Sequence, residues 1–71
     1  MIKKHSIVIA GHQTSISIED EFWELFCQIV KDKGIPMAMQ LEAIDDVRET
    51  NLSSAIRLFV LQDLKNKLNI F

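Results

Sequence analysis

Polar side chains alternate with apolar ones in the segment Gln-Thr-Ser-Ile-Ser-Ile, which begins at Gln13. Successive side chains of an extended strand point to opposite faces, so Gln13, Ser15 and Ser17 share one face and the two isoleucines share the other. One amide and two hydroxyls can each donate and accept hydrogen bonds. Such a row is suited to recognising polar groups of another molecule. The alternative is a plain strand face in contact with solvent.

Catalytic or metal-binding chemistry has little support in the rest of the chain. His5, His12 and Cys27 are the residue types that bind transition metals, but their positions lack the paired spacing of a metal site. The sequence contains no carboxylate pair, no nucleophile with its base and no phosphate loop, and 71 residues are too few for a substrate cleft. We therefore predict that the protein is not an enzyme and binds no metal or cofactor. His5 is expected at a strand surface.

Length and composition limit the possible architecture. The 71 residues form one domain, 1–71, yet 48% of them are hydrophobic, which is more than a small globule can easily bury. A second copy would cover the excess, so we expect a homodimer. No stretch of about 18 apolar residues could span a membrane. A single cysteine excludes an internal disulfide, and we expect a cytoplasmic protein.

Local patterns predict two strands followed by three helices, which is an α+β chain that is mostly α. The β-branched run around Ile7 and the alternating segment indicate the strands, and Gly11-His12 breaks the run between them and could form a tight turn or a bulge. The predicted strands span 4–10 and 13–18, and the predicted helices span 19–33, 36–49 and 51–68. The sequence leaves open whether the strands form a hairpin or whether the first is only an arm.

Each predicted helix carries an apolar stripe at three- and four-residue spacing, as expected for a helix packed on one side. The stripes are Phe22, Leu25, Phe26, Ile29 and Val30 in the first helix, Met37, Leu41, Ile44 and Val47 in the second, and Ile56, Phe59, Val60, Leu64 and Leu68 in the third. Trp23 lies beside the first stripe and is a candidate for the dimer core. The other side of the middle helix is acidic.

Charge is distributed unevenly, although the formal net charge is only -2. The first 18 residues contain Lys3 and Lys4 and no acid, whereas the remainder contains six basic and ten acidic residues. This asymmetry could place a positive face on an acidic body. The simpler interpretation is that the two lysines keep a hydrophobic strand in solution.

Two segments resemble a ribbon-helix-helix family that is widespread in alphaproteobacteria. Residues 10–23, Ala-Gly-His-Gln-Thr-Ser-Ile-Ser-Ile-Glu-Asp-Glu-Phe-Trp, are similar to its motif Gly-His-x-Thr-Ser followed by Glu-x-x-Phe-Trp. Residues 51–61, Asn-Leu-Ser-Ser-Ala-Ile-Arg-Leu-Phe-Val-Leu, are similar to its last helix. The resemblance covers about residues 3–65, and the two segments at this spacing are fairly specific.

The resemblance implies the fold of the Arc and MetJ repressors, an intertwined homodimer in which one strand from each subunit forms an antiparallel ribbon. Such a ribbon enters the major groove of double-stranded DNA, where base edges can be distinguished. The implied base contacts are Gln13, Ser15 and Ser17. The implied phosphate contacts are Lys3, Lys4, His12, Asn51, Ser53 and Ser54, of which the last three lie at the amino end of the last helix.

Several roles stay open at this point. His12 could contact phosphate or order the turn beside it, and Arg57 could bind phosphate or an acid of the first helix. The strand at 13–18 has no charge of its own, although DNA affinity comes largely from neutralised phosphates. The alternative function is therefore a protein-interaction dimer, similar to an antitoxin, whose acidic middle helix docks a partner protein.

Overall fold

The computed structural model describes residues 1–70 as two strands followed by three helices. The elements are β1 (Ile2–Ile9), β2 (His12–Glu19), α1 (Asp20–Lys33), α2 (Met37–Val47) and α3 (Leu52–Lys67). Their order and their class, α+β and mostly α, confirm the fold class predicted from the sequence.

β1 and β2 form an antiparallel hairpin within one chain. Ala10 and Gly11 make the turn with φ angles of 50° and 80°. Positive φ at both central residues is typical of the turn whose twist matches that of the flanking strands. Gly11 adopts this conformation without the steric cost of a Cβ atom, and the Ala10 N–H donates to Glu42 Oε1 at 3.0 Å. The first strand is therefore half of a hairpin and not an arm.

β2 has its pairing partner in its own chain. The register joins Ile2 to Glu19 and Ile9 to His12, so pairing extends along both strands. The resemblance implied a ribbon with one strand from each subunit. Here one subunit forms a two-stranded ribbon by itself, because the two-residue turn brings β1 alongside β2. The second edge of β2 faces away from β1, and no further strand within residues 1–70 pairs with it.

One face of the hairpin packs on the helices and contributes to the core. Ile16 and Ile18 of β2 are buried, as strand alternation predicts. The Phe26 ring of α1 is fully buried and meets the Phe59 ring edge-on, with 5.7 Å between ring centroids. The buried apolar residues are Ile7, Ile16, Ile18, Phe26, Ile29, Val30, Leu41, Ile44, Ile56 and Val60. All five elements therefore contribute to one core.

Trp23 packs inside its own chain against β1. Its ring stacks on the His5 imidazole, with centroids 4.3 Å apart and an interplanar angle of 18°. His5 was expected at the surface but is half-buried, because the register places it opposite the buried Ile16. Trp23 thus has a packing role within the single chain.

α2 ends two residues earlier than the sequence predicted. Arg48 takes an extended conformation, and its guanidinium donates to Asp45 Oδ1 at 2.7 Å and to the Thr50 carbonyl at 2.8 Å. The chain leaves the helix axis at this point. Val47 is consequently exposed, although its place in the apolar stripe predicted that it would face the core.

Candidate nucleic-acid interface

The outer face of the hairpin points away from the helices and carries side chains from both strands. Gln13, Ser15 and Ser17 of β2 are exposed there, where alternation placed them. Directly paired residues of an antiparallel sheet share a side, so their partners in β1 project from the same face. The three pairs are Val8–Gln13, Ser6–Ser15 and Lys4–Ser17. We call these six residues the outer face.

Lys3 and Lys4 project to opposite sides of β1. Lys4 is exposed on the outer face opposite Ser17. Lys3 lies opposite Ile18, whose side chain faces the core, and its Nζ is 3.5 Å from Asp20 Oδ2. The outer face therefore has a positive charge, which β1 supplies. The charge of Lys3 is directed to an acid at the start of α1.

His12 is exposed beside the turn. The carboxylate of Glu42 accepts the Ala10 N–H, so α2 supplies the hydrogen bond that orders the turn. His12 lines a recess of about 320 Å³, together with Arg48 and Leu52. This recess connects the turn end of the hairpin with the start of α3.

The amino end of α3 borders the same recess and is capped by Asn51. Asn51 Oδ1 accepts the Ser54 N–H at 2.9 Å, so one amide of the implied phosphate site is already bonded. In the described part of the chain, the backbone N–H groups of Leu52 and Ser53 have no acceptor. Such groups point out of the end of a helix, where the helix dipole favours an anion. Two amides thus stay available to a phosphate.

Arg57 binds the junction between β2 and α1. Its Nε donates to Glu19 Oε1 at 2.7 Å in a partly buried position. This hydrogen bond from the guanidinium lowers the pKa of the Glu19 carboxyl below its ordinary value. Of the two roles that the sequence allowed, the structure shows a contact with an acid. The pair fixes α3 to the end of the ribbon strand.

The thiol of Cys27 is poorly suited to nucleophilic chemistry, because burial raises its pKa and so favours the protonated form.

Among residues 1–70, no group of three or more His, Cys, Asp or Glu side chains is placed to hold a metal ion. None of the helices described is both long and apolar enough to cross a membrane.

The family model for the ribbon-helix-helix domain matches residues 2–64. The match includes the hairpin, α1, α2 and most of α3, which is well over half of the chain. The chain belongs to the ribbon-helix-helix domain family. No curated protein and no solved structure shows significant similarity to it. Ribbon-helix-helix domains are generally DNA-binding transcription regulators.

The outer face of this ribbon-helix-helix chain also contains Ser6 and Val8, which the sequence patterns did not indicate as binding residues. Their place depends on the strand register, which the weak alternation of β1 does not define. The turn sequence does indicate this register. A two-residue loop at Ala10 and Gly11 pairs Ile9 with His12, and every earlier pair follows from that one.

Proposed function

We propose that this ribbon-helix-helix chain is a DNA-binding transcription regulator that acts as a homodimer and inserts a β-ribbon into the major groove. The observation that carries the proposal is the outer face, where exposed polar side chains line a two-stranded ribbon. Paired strands lie about 4.8 Å apart, and a major groove roughly 12 Å wide admits two of them. Membership of the family supports the same function.

Gln13, Ser15 and Ser17 are the proposed base contacts. A glutamine amide can form two hydrogen bonds with the N6 and N7 positions of adenine, and a serine hydroxyl can serve several bases. All three side chains are exposed and are held on one side of β2 by the paired backbone. A strand that is already ordered loses less conformational freedom on binding than a flexible loop does.

Phosphate contacts are proposed on both sides of these residues. They are Lys4, His12, Asn51, Ser53 and Ser54, whereas Lys3, which the resemblance also implied, is paired with Asp20. Lys4 contributes the charge of the outer face, and the free Ser53 amide contributes to an anion site at the start of α3. With so few positive groups, we expect modest affinity that depends strongly on salt.

A second copy of the chain is proposed to cover an apolar groove between α2 and α3. The groove measures about 500 Å³, and its lining includes Val47, Leu58 and Phe59. Val47 is 79% exposed and Leu58 is 56% exposed. Burial of apolar surface contributes about 25 cal/mol per Å², so side chains of this size favour association with another apolar surface. Leu61, exposed one turn beyond Leu58, extends the same surface along α3.

Fluorescence anisotropy tests the DNA-binding proposal. The purified chain is titrated into the duplex that lies upstream of its own gene and into a shuffled duplex of equal composition, over a salt series. We expect tighter binding to the upstream duplex that survives at about 0.15 M salt. The double variant Gln13→Ala, Ser15→Ala should then lose most of the preference. Equal weak binding that vanishes with salt, or no binding, would contradict the proposal.

A protein-interaction dimer is the second candidate. Asp46 is exposed on the acidic side of α2, and Glu49 lies near it at the edge of the groove, so a basic partner would find acidic contacts there. Light scattering together with anisotropy separates the candidates. A chain that forms a dimer but binds no DNA even at low salt would favour this second function, because the acidic side of α2 would then be left for a partner protein.

From the motif that contains Gly11, His12, Thr14 and Ser15, we propose that the chain belongs to the alphaproteobacterial branch of the family. We also propose that the chain acts in the cytoplasm, where its DNA target lies and where the thiol of Cys27 stays reduced.

A further inference from the structure

One apolar residue stands among the polar residues of the outer face. Val8 is 54% exposed, whereas its neighbours on that face are serines, a lysine and a glutamine. Valine favours strands, and single apolar residues are common on protein surfaces. The presence of a valine by itself therefore says little about function, and the inference depends on the position of Val8 in the hairpin.

Val8 lies directly opposite Gln13, one pair from the turn. Ile9 and His12 flank the two-residue turn. Residues that flank such a turn form a hydrogen-bonded pair, so the next pair is of the non-hydrogen-bonded kind. Side chains approach most closely in such pairs, with Cβ atoms about 4.5–5.5 Å apart. An apolar group and an amide thus project side by side near the tip of the ribbon.

These two groups complement a single kind of base pair. In the major groove, a T·A pair presents the 5-methyl group of thymine beside the N6 and N7 positions of adenine. The Gln13 amide can bind adenine while the Val8 methyl groups contact the thymine methyl. A G·C pair offers no methyl group, and guanine presents two acceptors in place of the donor and acceptor that glutamine matches.

We propose that β1 is a second reading strand and that Val8 and Gln13 together recognise a T·A base pair. This rests on the proposed function, since it applies only where the outer face enters DNA. It extends base reading from β2 to β1, and it adds a specificity-determining residue, Val8, to the three on β2.

Removal of a single DNA methyl group tests the contact. Selection from a randomised duplex library with the purified chain first provides the probe. Each thymine of the selected duplex is then replaced in turn by uracil, which lacks only the 5-methyl group. We expect one replacement to weaken binding by the wild-type chain about three- to fivefold, the effect of one buried methyl group.

Val8→Ala assigns that methyl contact to its residue. V8A should bind the thymine duplex more weakly than the wild-type chain does. Replacement of the contacted thymine by uracil should then weaken binding by V8A no further. The substitution and the uracil together should therefore weaken binding no more than either does alone. Ile2→Ala is the matched control, since Ile2 is 57% exposed on the same side of β1 but lies opposite Glu19. This control should keep its full sensitivity to uracil. The uracil effect on the wild-type chain requires no variant and is independent of how well V8A folds.

The possible results separate the two proposals. If the wild-type chain selects and binds a duplex but no uracil replacement weakens binding, or if V8A stays sensitive, the T·A reading is wrong and the proposed function stands. If the chain enriches no sequence from the library, the proposed function is wrong and the T·A reading falls with it.

Discussion

Lys3 and Lys4 are neighbours in sequence but differ in what they can contact, because the pleat of β1 sends them to opposite faces. Lys4 shares the outer face with Ser17. Lys3 lies on the other side, with its Nζ 3.5 Å from Asp20 Oδ2. A phosphate at the outer face could contact Lys4 directly, whereas Lys3 would first have to break its ion pair with Asp20.

We therefore predict unequal effects of two alanine substitutions on DNA binding. Lys4→Ala should weaken binding and reduce the slope of log affinity against log salt by about 0.9 for each phosphate contact that is lost. Lys3→Ala, its matched control, should change that slope much less. Anisotropy across a salt series measures both slopes. Equal slopes for the two variants would show that contact with phosphate does not depend on which face of β1 a lysine occupies.

The Arg57–Glu19 pair predicts a pH-dependent contribution to stability. The guanidinium lowers the pKa of Glu19 in the folded chain below its ordinary value of 4.5. The pair should therefore stabilise the fold fully above pH 4.5 and lose this effect as pH falls through the lowered pKa. Arg57→Met should reduce stability at pH 7 and flatten its fall in acid, which thermal unfolding between pH 7 and pH 3 would measure.

Lys67→Met is the control for this measurement. Lys67 Nζ lies 2.9 Å from Asp63 Oδ2, four residues away on α3, and ion pairs at this spacing on a helix contribute little when the lysine is largely exposed. We expect its acid unfolding profile to follow that of the wild-type chain. A profile of R57M parallel to the wild type would mean that Arg57 does not lower the pKa of Glu19 in the folded chain.

At the level of elements, α2 has two functions within the single chain. Leu41 and Ile44 complete the core, and Glu42 accepts the Ala10 N–H at the turn of the hairpin. The middle helix thus covers its own core and holds the tip of the ribbon. Its acidic side faces solvent, and one of its exposed carboxylates, that of Glu42, also binds the hairpin.

The start of α3 gives a prediction that separates folding from DNA binding. Asn51→Ala removes the acceptor of the Ser54 N–H and should lower the free energy of unfolding by about 1 kcal/mol. Asn51→Asp keeps an acceptor and should preserve stability, but its negative charge should repel a phosphate. Urea unfolding and anisotropy measure the two effects. Unchanged DNA binding by N51D would remove the start of α3 from the proposed phosphate contacts.

At the level of the whole molecule, the apolar residues left exposed predict association between two copies. Light scattering should give twice the mass of one chain, and Leu58→Glu should give a single chain, because it places a charge in the groove between α2 and α3. Met39→Glu is a matched control, since Met39 and Leu58 are each 56% exposed but Met39 lies outside the groove. If both variants dissociate equally, or if neither dissociates, the dimer is not formed through this groove.

The apolar stripes show how far the sequence could predict the core. Phe26 and Ile29 are buried as the spacing indicated, yet Leu25, Val47 and Leu68 belong to predicted stripes and are exposed in this chain. A periodic stripe tells which side of a helix is apolar, but whether a neighbouring element covers each residue depends on where that helix ends and what packs beside it.

The sequence by itself determined the elements, their order and the family, because these follow from short-range information. Alternation put Gln13 and Ile16 on opposite faces, and the two motifs carried the resemblance. Tertiary structure alone decided that β1 pairs with β2, that Lys4 rather than Lys3 joins the outer face, and that Arg57 binds Glu19, 38 residues away. Such choices depend on the relative free energies of contacts between distant segments, and apart from the turn at Ala10 and Gly11 local spacing says little about those.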